Sequence, residues 1–237
     1  MESNVPTRFS SVSDFLASWF GPPVALPVTS ASLPDWIPAE LAEWHSIASR
    51  WGAERVATHN HPVALESLNA ASGDMIVFWE EHQGCWEWAF RFEQPAKSDP
   101  AVFESEPGGE HESWLDTGQS LSQFLLDAAI FEALQLLEYS AHAPLVSETQ
   151  AAAITSTLRK LDIAMGRRYL GTSEFYGGSG VLVEVDPPLI AGADSRRLTV
   201  AARNSKDLTA FIQRHSEVEW DLWSNTERQA TSELPPW

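Results

Sequence analysis

The chain is short of cysteine, of positive charge and of long hydrophobic runs, and each shortage narrows what it can be. Its 237 residues include one cysteine, Cys85. A single thiol excludes an intramolecular disulfide framework and a multi-cysteine zinc site, and it suits a reducing compartment. No stretch reaches the roughly 20 apolar residues that a membrane helix requires, so no membrane is expected among the partners. Residues 1–20 carry a single basic residue, Arg8, and no apolar h-region, which makes a secretory signal unexpected and points to the cytoplasm. Against 33 Asp and Glu stand only 15 Lys and Arg, a net charge of -18. Such a chain repels phosphate backbones, which excludes a general nucleic-acid binder.

Hydrophobic residues make up 43% of the chain and 11 residues are Trp, the composition of a globular protein with a full core. The length suits one large domain or two small ones. The charge is unevenly spread. Residues 1–73 hold 7 acids and 3 bases, and residues 159–237 hold 11 acids and 10 bases. The middle, residues 74–158, holds 15 acids and 2 bases, with no base between Lys97 and Arg159. An acidic coat kept for solubility alone has no reason to gather in one third of a chain, so the middle segment is a candidate binding face.

The pattern predicts two α+β segments that meet near residues 141–147, with no internal repeat. Residues 1–35 read as an N-terminal helix and linker, the helix capped by Ser13 and stopped by Gly21-Pro22-Pro23. Residues 36–140 read as the first core. Its opening helix has Pro38 at the first position and Gly52 at the end, with Leu41, Trp44, Ala48 and Trp51 on one face. From Asp74 the period becomes two, and the runs 75–81 and 85–92 flank His82-Gln83-Gly84 as a hairpin. Trp86, Trp88, Phe90 and Phe92 would share one face of the second strand, and Trp79 would lie with Met75 and Val77. A third strand is expected at 101–104 and a loop at 105–117. The segment from Ser120 to Ser140 is a helix apolar around most of its circumference, expected to pack on the Trp-rich face of the sheet. Residues 147–230 repeat the theme: a helix over 147–164, strands near 169–176, 181–185, 198–202 and 218–223, and a helix over 205–215. They form either an extension of the first core or a second domain, followed by a frayed tail at 234–237.

The run Ile37-Pro38-Ala39-Glu40-Leu41-Ala42-Glu43-Trp44-His45, followed by Ile76-Val77-Phe78-Trp79-Glu80-Glu81-His82-Gln83-Gly84-Cys85-Trp86-Glu87-Trp88-Ala89, resembles the SUKH superfamily. Asp99 to Phe103 looks like the strand after that family's hairpin. Ser120 to Leu126, with Phe131-Glu132-Ala133, looks like its closing helix. The resemblance covers residues 36–139. It implies an α+β fold with a bent antiparallel sheet flanked by helices, and a role in binding proteins rather than in catalysis. Many bacterial members are immunity proteins that neutralise a toxin encoded beside them, and eukaryotic relatives are regulatory adaptors. No catalytic residue and no cofactor come with it.

The residues themselves offer little chemistry. His59-Asn60-His61, with Glu80, Glu81 and His82, could suggest a metal site and hence a metal-dependent hydrolase, but the motif reads as a loop ending at Pro62 with no carboxylate at fixed spacing. Glu80-Glu81-His82 reads as a solvated turn. Glu132 falls on the apolar face of its helix between Leu121, Leu125 and Ala128, where a carboxylate needs partners; backbone amides or a Trp indole are the expected ones. Cys85 has no basic neighbour and reads as a strand residue. Gly177-Gly178-Ser179-Gly180 lacks the Lys and the following helix of a phosphate loop and reads as a hairpin turn. Trp79, Trp86 and Trp88 read as core rather than as a sugar platform. The expected function is therefore a non-catalytic module that binds a protein, namely a basic toxin, through an acidic face of Glu80, Glu81, Glu87, Glu104, Glu106, Glu110, Glu112 and Asp116. A regulatory adaptor is the alternative.

Overall fold

A computed structural model describes residues 11–24, 33–57, 59–72, 74–93, 98–106, 114–136, 138–163, 173–178, 180–188 and 194–223. The chain is α+β, with two antiparallel sheets and flanking helices. It divides into two compact units, the first running to Glu132 and the second starting at Ala133.

In the first unit α1 (Val12–Phe20) is capped by Ser11, whose hydroxyl accepts from the Asp14 amide at 3.1 Å, and not by the expected Ser13. Helix α2 (Ala39–Trp51) follows Pro38, which sits at the cap position, and buries Leu41, Trp44, Ile47, Ala48 and Trp51. Its repeat of apolar residues every three to four positions dictates that face. After α3 (Ala53–Val56) come β1 (His61–Pro62), a 3-10 turn at Leu65–Ser67, β2 (Ala70–Ser72), β3 (Met75–Glu80), β4 (Glu87–Arg91), β5 (Ala101–Ser105) and β6 (Leu115–Ser120). The sheet order is β1-β3-β4-β5-β6, with β2 beside β3. The expected hairpin is present as β3 and β4. Strand β6 replaces part of the expected loop at 105–117. Its polar, glycine-interrupted sequence hides the strand, which Thr117 ties to β5 through a 2.8 Å bond to the Val102 carbonyl.

Helix α4 (Leu121–Gln135) lies on the sheet as expected. Phe124 meets Phe78, Trp88 and Trp79 at centroid distances of 5.3, 5.5 and 6.1 Å, and Trp79 meets Trp44 of α2 edge-on at 5.0 Å. Trp79 is thus in the main core and not on the side of Met75 and Val77. The reason is a bulge: Val77 faces Ala89 and Trp79 faces Trp88, so Phe78 is an extra residue and both rings reach the same core. The other face of β3 and β4 is also covered, by a small cluster of Met75, Val77 and Ala89 with Val63, Phe103 and Trp114. Phe92, expected with Trp88 and Phe90, is 41% exposed and leans on Trp36.

The second unit holds β7 (Ser140–Ser147), α5 (Glu148–Thr155), β8 (Arg159–Leu161), β9 (Glu174–Gly178), β10 (Val181–Asp186), β11 (Ser195–Ala202), α6 (Ser205–Arg214) and β12 (Asp221–Trp223), in the sheet order β12-β7-β11-β10-β9-β8. Residues 141–147, read from sequence as a joint, are an inner strand. The helix expected over 147–164 stops at Thr155, and part of the remainder is β8. A capping box between Ser147 and Gln150 starts α5. One face of the sheet packs on both helices through Ala141, Ala143, Val181, Val183, Val185, Leu198 and Val200 against Ile154, Leu208 and Phe211. The β9–β10 turn is the hairpin turn expected there. Gly180 has φ +79°, a conformation that strains any residue with a side chain, and a Cβ there would also have to push aside the ion-paired heads of Arg203 and Asp207. The tail at 234–237 lies outside the described residues.

Candidate functional site

The strand register sorts the expected acidic face. Glu80 of β3 stands directly opposite Glu87 of β4, and Glu87 opposite Ser105 of β5. Two places along, Ala89 is opposite Phe103, which is opposite Asp116 of β6. Directly paired residues, and residues two apart on a strand, share a face, so Glu80, Glu87 and Asp116 stand on one side of the sheet. Glu80 and Asp116 are exposed and Glu87 is half-buried. Burial, and then the negative charge of Glu80, hold the Glu87 carboxyl above its ordinary range. Among the described residues none of Glu80, Glu87, Glu106 and Asp116 has an ion-pair partner. Arg91, the one described base of this segment, is engaged by Asp74 at 3.3 Å and lies over the Phe103 ring at 5.3 Å.

Two of the expected acids leave this face. Glu81 is 5% exposed, and its Oε2 accepts from the amides of Gln83 at 2.9 Å and Cys85 at 3.1 Å, so it closes the hairpin turn. Glu104 is 4% exposed because it stands opposite Trp88, on the core side of β5. A carboxylate held by its own turn, or turned inward, offers nothing to a partner. Glu106 is exposed, and Glu110 and Glu112 lie outside the described residues.

Beside this face, His61 belongs to β1 and stands opposite Glu80, where a loop was expected. The rings of His59 and His61 lie 5.4 and 5.7 Å from that of His82. Among the described residues no group of three or more His, Cys, Asp or Glu is arranged to hold a metal ion. The His59-Asn60-His61 segment is instead anchored from below. Glu132, fully buried in α4, accepts from the His59 amide at 2.6 Å and from the Asn60 amide at 2.9 Å, the backbone pairing expected for it. The Asn60 Oδ1 in turn accepts from the His82 amide at 3.3 Å, which couples this segment to the hairpin tip. Cys85 is exposed within that turn and is not a strand residue.

A third constellation, in the second unit, escaped the sequence reading. Glu184, Thr199, His142 and Asp221 stand in one row across β10, β11, β7 and β12, with Asp186 and Arg197 paired two places along. The row is on the sheet face away from α5 and α6, since its neighbours Val183 and Val200 face those helices. Asp186 is the hub. One oxygen accepts from Ser173 at 2.8 Å, and the other from the Arg197 guanidinium at 2.5 Å. Glu184 is pushed up to about 8, by burial first and then by the charge of Asp186. It holds a proton at neutral pH. His142 is held below its ordinary value by burial and by Arg197. Thr199 Oγ1 lies 3.4 Å from His142 Nδ1. The row stores a proton and balances a buried charge. Alternation of Leu182, Glu184 and Asp186 with Val181, Val183 and Val185 was its only sequence signal, because the partners come from strands far apart in the chain.

No family model, curated protein or solved structure matches the chain.

Proposed function

We propose that the chain is a non-catalytic protein-binding module of the immunity type, acting in the cytoplasm, that neutralises a basic toxin through the acidic face of the first unit. The reading takes its family from the SUKH resemblance of residues 36–139 and removes Glu81 and Glu104 from the face, which leaves Glu80, Glu87, Glu106 and Asp116 among the described residues. The observation that carries it is the Glu80–Glu87 pair. Like charges directly opposed on neighbouring strands destabilise a sheet, and among the described residues no cation pairs with them. A basic partner would supply that cation. Complementary charge would then speed association and reject wrong partners.

The test is co-expression with the product of the reading frame beside the gene, with growth as the readout. The wild type is expected to restore growth and to bind that product more slowly as salt rises, since the charge term is screened over about 8 Å at physiological ionic strength. The double variant Glu80→Lys/Glu87→Lys should lose protection while keeping its unfolding midpoint. A harmless neighbouring product, or undiminished protection by the folded double variant, overturns the reading.

A further inference from the structure

Residues 215–223 leave the end of α6 and return to the sheet as β12, an edge strand of three residues. It meets β7 at Asp221 opposite His142, Leu222 opposite Ala141 and Trp223 opposite Ser140. So short a ladder is marginal by itself, and the segment depends on what holds its two ends. A histidine stands at each.

At the first end His215 closes α6. Its carbonyl accepts from the Val218 amide at 3.2 Å and from the Trp220 indole at 3.0 Å. Its ring lies against Phe211 at 4.9 Å, and Trp220 meets the same ring edge-on at 5.8 Å. The His215 side chain is only 7% exposed, with Nδ1 3.7 Å from a Glu217 oxygen. Its Nε2 is buried and has no hydrogen-bond partner among the described residues. At the second end His142 is half-buried between Asp221 of β12 and Thr199 of β11.

A neutral imidazole needs one acceptor for its single N–H, whereas a protonated one needs two. The second N–H of a charged His215 would point into a buried site with no acceptor among the described residues, which opposes protonation in place. The charged groups that reach His215 are Glu217 in the connection and Arg214 on α6. Among those that reach His142 are Asp221 on β12, Arg197 on β11 and Asp186 on β10. At His215 burial and Arg214 oppose the charged form, Glu217 favours it, and the opposition prevails; at His142 the strap's own Asp221 favours the charged form, so that ring is not a release group. With the strap free, His215 therefore takes up its proton first. The hold on the segment is complete above about pH 6.5, the ordinary histidine value, and is lost as the pH falls further.

We propose that residues 215–223 are an acid-released strap, held on β7 while the His215 ring is neutral and let go when that ring is protonated. Release uncovers the outer edge of β7 at 140–142, a row of backbone donors and acceptors that another strand can join.

Hydrogen exchange read by mass spectrometry on the full chain, from about pH 7.5 to about pH 5 and corrected for the intrinsic rate, tests this. Protection at 140–142 and 221–223 should fall with acid, by up to about tenfold per pH unit for each proton taken up, while α2 and α4 keep theirs. His215→Phe keeps a ring against Phe211 but cannot titrate, and it should hold the strap in acid. If His215→Phe is unfolded at neutral pH, His215→Gln takes its place with the same expectation. Protection that does not change with pH in the wild type, or that falls as far in the folded His215 variant, overturns the proposal.

Discussion

The sheet of the first unit is packed with rings, and the sheet of the second with small and branched aliphatic side chains. Phe124 sits among Phe78, Trp79 and Trp88, whereas Val183 and Val200 sit among Ala141, Ala143 and Ile154. The two units also bury charge differently. The first places Glu132 under backbone amides, and the second sets Glu184 beside Asp186 and balances them with Arg197. Backbone donors come with any chain segment, so a lone carboxylate can be satisfied locally. A carboxylate pair needs a cation or a proton, and the second unit uses both. Bases are scarce in residues 74–158 and plentiful after them, which fits each solution to its part of the chain.

The largest expected effect breaks the ring core. Phe124→Ala should lower unfolding free energy by about 3–5 kcal/mol, against about 2 kcal/mol for Val183→Ala in the aliphatic core, both read from urea midpoints. Equal losses would remove the contrast. Next comes Glu132→Ala, which leaves two amides without a charged acceptor and should cost about 3 kcal/mol. Exchange at the His59 and Asn60 amides should accelerate with it; unchanged exchange would mean that another group holds them.

The buried pair of the second unit gives a pH signature. Because Glu184 is held above the ordinary value of 4.5, the folded chain keeps a proton that the unfolded chain gives up. Its contribution is complete below about pH 4.5 and declines, by about 1.4 kcal/mol per pH unit, as the pH rises towards about 8. Glu184→Gln should flatten that decline in unfolding curves taken across the interval, and an unaltered slope would exclude Glu184 as its source. The smallest effect belongs to the surface acids. Glu87→Gln removes one of two opposed charges and should shift stability by no more than about 0.5 kcal/mol, upward. A clear destabilisation would assign Glu87 to the architecture of the sheet instead of to its binding face.

Periodicity carried the fold a long way. The face of α2, the β3–β4 hairpin and the place of α4 on the sheet follow from spacing, because one buried stripe at 3.6 or 2 residues admits one orientation. It failed at Trp79, where one bulged residue reversed the alternation, and at β6, whose Asp, Thr, Gly and Gln resemble a loop until Thr117 is seen bonded to β5. The candidate face was legible as a charge imbalance but not as a surface. Glu81 and Glu104 look like their neighbours in the chain, and only the turn and the register turn them inward.

Sequence by itself determined the class of the molecule: an acidic α+β chain with one thiol, a Trp-rich hairpin and an apolar helix that must be covered. These are properties of composition and local period, and no tertiary contact can alter them. Tertiary structure decided which polar groups meet. Glu132 is separated from His59 by 73 residues and His142 from Thr199 by 57, and the pairings exist because the sheet and its helices bring those backbones together. Burial sets the proton affinity of each such group, and burial belongs to the fold as a whole.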